Sequence, residues 1–230
     1  MIRYLASQAP MRKNGRITPM KNLEELLVTE LKLRFQPDII ILYGSRARGD
    51  ADINSDIDVA CFCQKPELKK EARSFHGLSL DAWFYPTESM NPDNDEFLRL
   101  HDGCCLQDMD GTGRAFLHRL HERFVKGPTP IAEEERKHST EWVRKMLQRA
   151  SGNNIEALYR RSWLAVEILM IYFQLRDQWY CGPKKSFSWL EKNDPQALCL
   201  FQAVYQAPDN LPALTSLSEY VISINPEQKL

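Results

Sequence analysis

An apolar run, Ile39-Ile40-Ile41-Leu42-Tyr43, breaks at Gly44-Ser45, and ten residues further on Asp56-Ile57-Asp58 leads into a second apolar run, Val59-Ala60-Cys61-Phe62. Unbroken aliphatic runs of this kind read as buried strands, so a core sheet has to pass through both. Gly44 lets the backbone approach an anion with no Cβ in the way, and Ser45 adds a hydroxyl and an amide if a short helix starts there. Side chains two apart on a strand share a face, so Asp56 and Asp58 are expected to point together. Two carboxylates at one spot repel unless a cation sits between them, and Mg2+, with its preference for oxygen, meets that need. The pattern suggests phosphate and metal held between two strands.

A chain of 230 residues can bury a sizeable core and suffices for two modest domains. Its formal charge of -1 exerts no global pull toward nucleic acid or membrane, so partners must be argued from the site. The six cysteines, Cys61, Cys63, Cys104, Cys105, Cys181 and Cys199, show no CxxC pair and no histidine at zinc spacing, and read as reduced thiols of a cytoplasmic protein. No segment is expected to span a membrane, and the polar, basic start of the chain does not read as a signal peptide. Residues 1–19 are expected to be a poorly ordered extension ahead of Met20, or an upstream start.

From 20 to 127 helix-like and strand-like segments mix. Leu23, Leu26, Leu27, Leu31 and Leu33 space a helix that ends before Pro37, and strands are expected at 39–43, 57–63 and 78–84. A charged stretch, Lys65 to Arg73, separates the last two. A polar loop, a helix-like turn to His101, a short strand at Cys104-Cys105-Leu106 and a helix from Thr112 complete this part. Gly127-Pro128-Thr129-Pro130 marks a boundary, because the residues beyond it read as helical. The expected helices are 133–150, a long one from the cap Asn154 to about Trp179, 186–192, and 195–205 with Asp194 as cap. Between Trp163 and Phe173 the long helix is apolar on nearly every side, as the central member of a bundle would be. The reading is an α/β part over 20–127 and an all-α part over 128–230.

A second acidic pair, Asp50-Ala51-Asp52, sits in the turn, where aspartate is common for backbone reasons, and reads as loop. Asp81 lies midway in strand 78–84, with Leu80 and Ala82 facing the other way. It is either a solvated group on an edge strand or a third metal ligand, since an unpaired buried carboxylate is costly. Arg46 and Arg48 are either counter-charges for phosphate or a solvated turn. Glu167, the one acid among Trp163 to Ile171, is a general-base candidate, with a structural ion pair to Arg160 as the alternative. Lys184 and Lys185 come after a Gly-Pro turn and either reach back to a triphosphate or are surface lysines. No histidine shows ligand spacing to another.

Gly44-Ser45, ten intervening residues, Asp56-x-Asp58 and the later Asp81 resemble the hallmark of the nucleotidyltransferase superfamily, which includes DNA polymerase β, kanamycin nucleotidyltransferase and the minimal bacterial nucleotidyltransferases. The part beyond 127 is similar to the helical halves of antibiotic-modifying members. The resemblance implies an α/β (α+β) nucleotidyltransferase domain with a small mixed β-sheet flanked by helices over 20–127, then an all-α helical bundle over 128–230 that binds the acceptor. It implies transfer of a nucleoside monophosphate, AMP from ATP being expected, to a hydroxyl acceptor with release of pyrophosphate. Asp56 and Asp58 would bridge two Mg2+ ions, and Asp81 would hold the ion that lowers the acceptor's pKa. Gly44 and Ser45 would cradle the β and γ phosphates, with Arg46 or Arg48 as counter-charge.

The acceptor expected is a small hydroxylated molecule of the aminoglycoside or lincosamide kind. Two alternatives stand beside it: a protein or RNA acceptor, and a regulatory module that binds nucleotide without turnover.

Overall fold

The structure, a computed structural model, describes residues 11–13, 16–18 and 20–223. The extension expected at 1–19 lies largely outside the described residues. Within it, β1 (Met11–Lys13) and β2 (Arg16–Thr18) pair antiparallel. The chain divides into two compact units, Met1–Lys126 and Gly127–Leu230.

In the first unit Leu23, Leu27 and Leu31, each one turn from the next, form the buried face of α1 (Met20–Phe35), while Leu26 and Leu33 stay exposed. The apolar runs become β3 (Ile39–Tyr43) and β4 (Ile57–Cys63), joined through the five-residue helix α2 (Gly44–Arg48). Then come β5 (Lys70–Phe75), β6 (Leu78–Pro86), a 3-10 helix at Asp95–Leu100, β7 (Cys104–Asp108) and α3 (Thr112–Lys126). The sheet order is β5-β6-β4-β3-β7, and only β4 and β6 run parallel, so the sheet is mixed.

Alternation sorts the strand residues onto two cores. Ile40, Leu42, Val59, Cys61, Leu80 and Phe84 pack with the leucines of α1, whereas Ile39, Ile41, Ala60, Phe62 and Tyr85 pack with Phe97, Leu100 and Phe116 on the opposite side.

β5 corrects the sequence expectation of a charged separator over Lys65 to Arg73. Its face toward α1 carries Glu71 and Arg73 ahead of a single buried apolar residue, Phe75, and the two charges pair with Arg34 and Glu30 of that helix. The strand therefore shows no hydrophobic alternation.

The second unit packs α4 (Glu133–Ala150), α5 (Ile155–Leu175), α6 (Gly182–Asn193), α7 (Pro195–Gln206) and α8 (Leu211–Ile222) around Val143, Leu164, Ile168, Tyr172, Phe201 and Leu217. Asn154 caps α5 by accepting the amide of Ala157 at 2.8 Å. Asp194 caps α7 through Ala197 at 2.9 Å and also accepts the hydroxyls of Tyr172 at 2.6 Å and Tyr220 at 2.9 Å. One carboxylate thus ties α5, α7 and α8 together.

Two further corrections concern this unit. α8 has no counterpart among the expected helices, which end at 205; Asn210 caps it and Pro212 stands in its first turn. Nor is α5 buried all round, since Ile155, Tyr159, Trp163, Val166 and Met170 are exposed.

Candidate active site at the ends of β3, β4 and β6

Parallel pairing of β4 with β6 sets Asp58 directly beside Asp81, and antiparallel pairing of β3 with β4 sets Tyr43 directly beside Asp58. In-register neighbours share a face, so one row runs Tyr43, Asp58, Asp81 across three strands. β6 is not an edge strand: β5 covers it, with Ala72 opposite Asp81. Asp81 nonetheless keeps 31% of its side-chain surface open. Lys70 Nζ donates to Asp81 Oδ2 at 2.9 Å and lies 4.9 Å from the centre of the Trp83 ring.

Burial, then the charges of Asp56 and Asp81, push the Asp58 carboxyl above the usual carboxylate range, and Arg99 and Arg48 oppose this in part. An anion held in such a place is poorly solvated and repelled, which makes it a receptor for added positive charge. Arg99 is packed between rings, 4.8 Å from the centre of Trp83 and 5.6 Å from that of Tyr43, and donates to the Tyr85 hydroxyl. Burial raises the Tyr43 and Tyr85 hydroxyls, the latter to about 12, so both stay protonated.

Sequence reasoning misses Lys70 and Arg99. The first lies in a strand without apolar alternation and the second in a 3-10 turn. Lys70 is placed by its register opposite Trp83, two residues along from Asp81, which no pattern in the sequence shows.

Gly44 has φ +77°, and a Cβ added there would stand 2.6 Å from Asp58 Oδ2. Glycine at this point makes room for the carboxylate as well as for an approaching anion. α2 begins at this residue, with extended Tyr43 as its N-cap residue and no side chain capping its first amides. Those amides, with the half-buried Ser45 among them, are donors suited to an anion.

Arg46 is only 6% exposed; its Nε donates to the Asp56 carbonyl at 3.0 Å and its Nη2 to that of Ser55 at 2.6 Å. Arg48 pairs with Asp102 and Asp50, each at 3.2 Å. In this geometry Arg46 clamps the loop that delivers Asp56 to the start of β4. We predict that Arg46→Met lowers the stability of the first unit by about 1–3 kcal/mol, because two partly buried carbonyls lose a charged donor. Chemical denaturation checks this, and an unchanged midpoint would contradict the clamp.

Asp56 lies one residue ahead of β4 and is exposed. Among the described residues no three His, Cys, Asp or Glu side chains converge closely enough to hold a metal ion as they stand. The donor chemistry nevertheless fits a hard divalent cation: two neighbouring carboxylates on one face, one of them destabilised as an anion, and an ammonium group already seated on the other. In the preceding turn Asp50 is exposed, and Asp52 accepts the amide of Asn54 at 2.8 Å in a local turn.

Glu167, Lys184 and Lys185 belong to the second unit. Glu167 is half-buried between the exposed Val166 and the core residue Ile168. The alternative ion pair with Arg160 is not formed: Arg160 pairs with Glu156 at 2.6 Å and sets a guanidinium nitrogen 3.7 Å from Met146 Sδ. A separation of four residues serves this short reach better than seven. Lys184, exposed, and Lys185 stand in the first turn of α6.

Residues 24–97, which contain every residue of the Tyr43, Asp58, Asp81 row and the Gly44-Ser45 turn, match the family model for a nucleotidyltransferase domain. A solved structure of a nucleotidyltransferase-like protein from Exiguobacterium sibiricum aligns with 88% of this chain and 74% of that one, at 11% identity and a TM-score of 0.45. No curated protein matches the sequence. No helix among the described residues is long and apolar enough to cross a membrane.

Proposed function

From the nucleotidyltransferase domain that residues 24–97 carry, we propose that the protein moves a nucleoside monophosphate, AMP from ATP, to a hydroxyl acceptor and releases pyrophosphate. The observation that supports this most is the in-register pair Asp58 and Asp81 beside a turn that only glycine fits. Asp56, Asp58 and Asp81 would hold Mg2+. Bound there, two such ions lower the acceptor's pKa and disperse the charge that develops at the α-phosphate and on the leaving group.

The chain's own groups do the rest. The uncapped amides at Gly44 and Ser45 receive the β and γ phosphates, and Arg48, beside them, adds positive charge. Arg46 holds Asp56 in place through its backbone. Lys70 neutralises Asp81 until a cation takes over, which keeps the carboxylate row tolerable in the free protein. The second unit is assigned to binding a small hydroxylated acceptor. All six cysteines are free thiols, consistent with a reducing cytoplasm.

Incubation of the full chain with nucleoside triphosphate, Mg2+ and a panel of hydroxylated acceptors tests the reaction class through acceptor-dependent release of pyrophosphate. Nucleotide binding with no pyrophosphate from any acceptor class, protein and RNA included, would replace the enzyme by a binding module.

The role given to Lys70 has its own readout. Lys70→Ala is expected to tighten divalent cation binding several-fold, measured by titration with Mn2+ and electron paramagnetic resonance. Unchanged or weaker binding would show that Lys70 does not compete for Asp81.

A further inference from the structure

Within the second unit, and among the described residues, one face of α5 stays uncovered. Ile155, Tyr159, Trp163, Val166 and Met170 are 83%, 63%, 40%, 68% and 41% exposed, and they recur at spacings of four, four, three and four residues. At about 100° per residue these positions fall within one narrow stripe along the helix. The rings are contiguous: Trp163 lies 6.0 Å from Tyr159 and 6.0 Å from Trp142 of α4, centre to centre. Tryptophan, tyrosine and methionine are the residue types enriched where proteins meet. A continuous stripe of five apolar side chains, three of them of these types, exceeds the scattered apolar exposure of a monomer's surface.

The opposite face of the same helix, with Leu164, Ile168 and Tyr172, already fills the core of the unit. The exposed stripe is therefore not a substitute for intramolecular packing.

We propose that this face of α5 binds a second copy of the same chain, the two helices packing antiparallel about a two-fold axis near Trp163. The spacing is close to its own mirror image about that residue. Reversal brings Ile155 against the partner's Met170 and Tyr159 against the partner's Val166, with the Trp163 side chains meeting at the axis. Charge agrees with this register. Glu156, Arg160 and Glu167 lie along one flank of the stripe, and an antiparallel two-fold pair brings that flank against itself in reverse order. Each Arg160, already paired with Glu156 of its own chain, then stands opposite the partner's Glu167. Two-fold association through one self-complementary patch is the commonest form of soluble oligomer.

The test uses the full chain. Light scattering after size exclusion should give twice the chain mass of 26.7 kDa at micromolar concentration. Val166→Glu places a charge where the side chain is exposed in the single chain, so it leaves helicity unchanged and lowers Tm only through the lost association. It should weaken association at least about tenfold.

Orientation is read by disulfide trapping with Cys104 and Cys199, the exposed cysteines, replaced by serine. Trp163→Cys should cross-link to itself, and Ile155→Cys should cross-link to Met170→Cys in a mixture. Ile155→Cys should not link to itself, because two such positions lie roughly 24 Å apart along antiparallel helices. A monomer throughout the micromolar range, a dimer indifferent to Val166→Glu, or self-linking by Ile155→Cys in place of the mixed pair would each overturn the proposal.

Discussion

Asp58→Asn is expected to abolish nucleotidyl transfer and to raise, not lower, the thermal stability of the metal-free protein. The loss in kcat should reach at least about 10³-fold, the upper end of what removal of one preorganised electrostatic group costs. The gain in stability comes from the row of acids. Asp58 is pushed up by burial and then by Asp56 and Asp81, so its ionised form is disfavoured in the folded chain relative to the unfolded one.

That direction sets the sign of the pH dependence. With the folded value above the unfolded one, about 3.9, the stability linked to this group is fully present below the unfolded value and is lost as pH rises through the folded value. At neutral pH the wild-type chain carries the whole penalty and the asparagine variant carries none. Thermal scans in the presence of chelator should therefore show the variant melting higher at neutral pH, with the difference shrinking as pH falls toward about 4. A variant that melts lower across the range would mean that Asp58 supports the fold, and the conflict between stability and function at this carboxylate would disappear.

Gly44→Ala should damage both fold and activity, and Gly49→Ala only the fold. Both glycines sit in the left-handed region, at φ +77° and φ +80°, so alanine at either position carries backbone strain of about 1–3 kcal/mol. They differ in what the new methyl group would meet. At Gly44 it stands 2.6 Å from Asp58 Oδ2, a distance that real Cβ contacts do not reach, so the carboxylate or the turn must move. At Gly49 nothing lies within 4 Å.

Denaturation midpoints for the two variants should therefore fall together, while kcat/KM collapses for Gly44→Ala and stays within a few-fold of wild type for Gly49→Ala. Equal loss of activity in both would point to the turn's conformation, rather than room for Asp58, as the reason for glycine.

The Gly44-Ser45 turn and the acidic pair that follows it were legible in the sequence because their constraints are local. An aliphatic run, a glycine and an acidic pair leading into a second apolar run left little choice for β3, α2 and β4. Asp81 could be paired with Asp58 only through the parallel register of β4 and β6, and its environment depends on β5, which hides from pattern reading because it meets α1 through Glu71 and Arg73. Asp56 and Asp58, identical by spacing, differ in place: one is exposed in the loop and one is half-buried in the strand.

Tertiary contact also decided Arg46. A guanidinium in a glycine-rich turn reads as a phosphate ligand or a solvated charge, and it became a buried clamp on two carbonyls. In the second unit the helix caps Asn154 and Asp194 were readable one residue at a time. The outward face of α5 was not, because an apolar residue carries no mark of whether it faces its own core or another surface.

Nucleotidyl transfer is separated from every other use of ATP by the fate of its phosphorus atoms, traced in parallel reactions with radioactive label at the α or at the γ position, using wild type and Asp58→Asn. Label from the α position should appear on the acceptor, label from the γ position in pyrophosphate, and neither with the variant. Label from the γ position on the acceptor, or α transfer that survives Asp58→Asn, would contradict a nucleotidyl donor site built on Asp58 and Asp81.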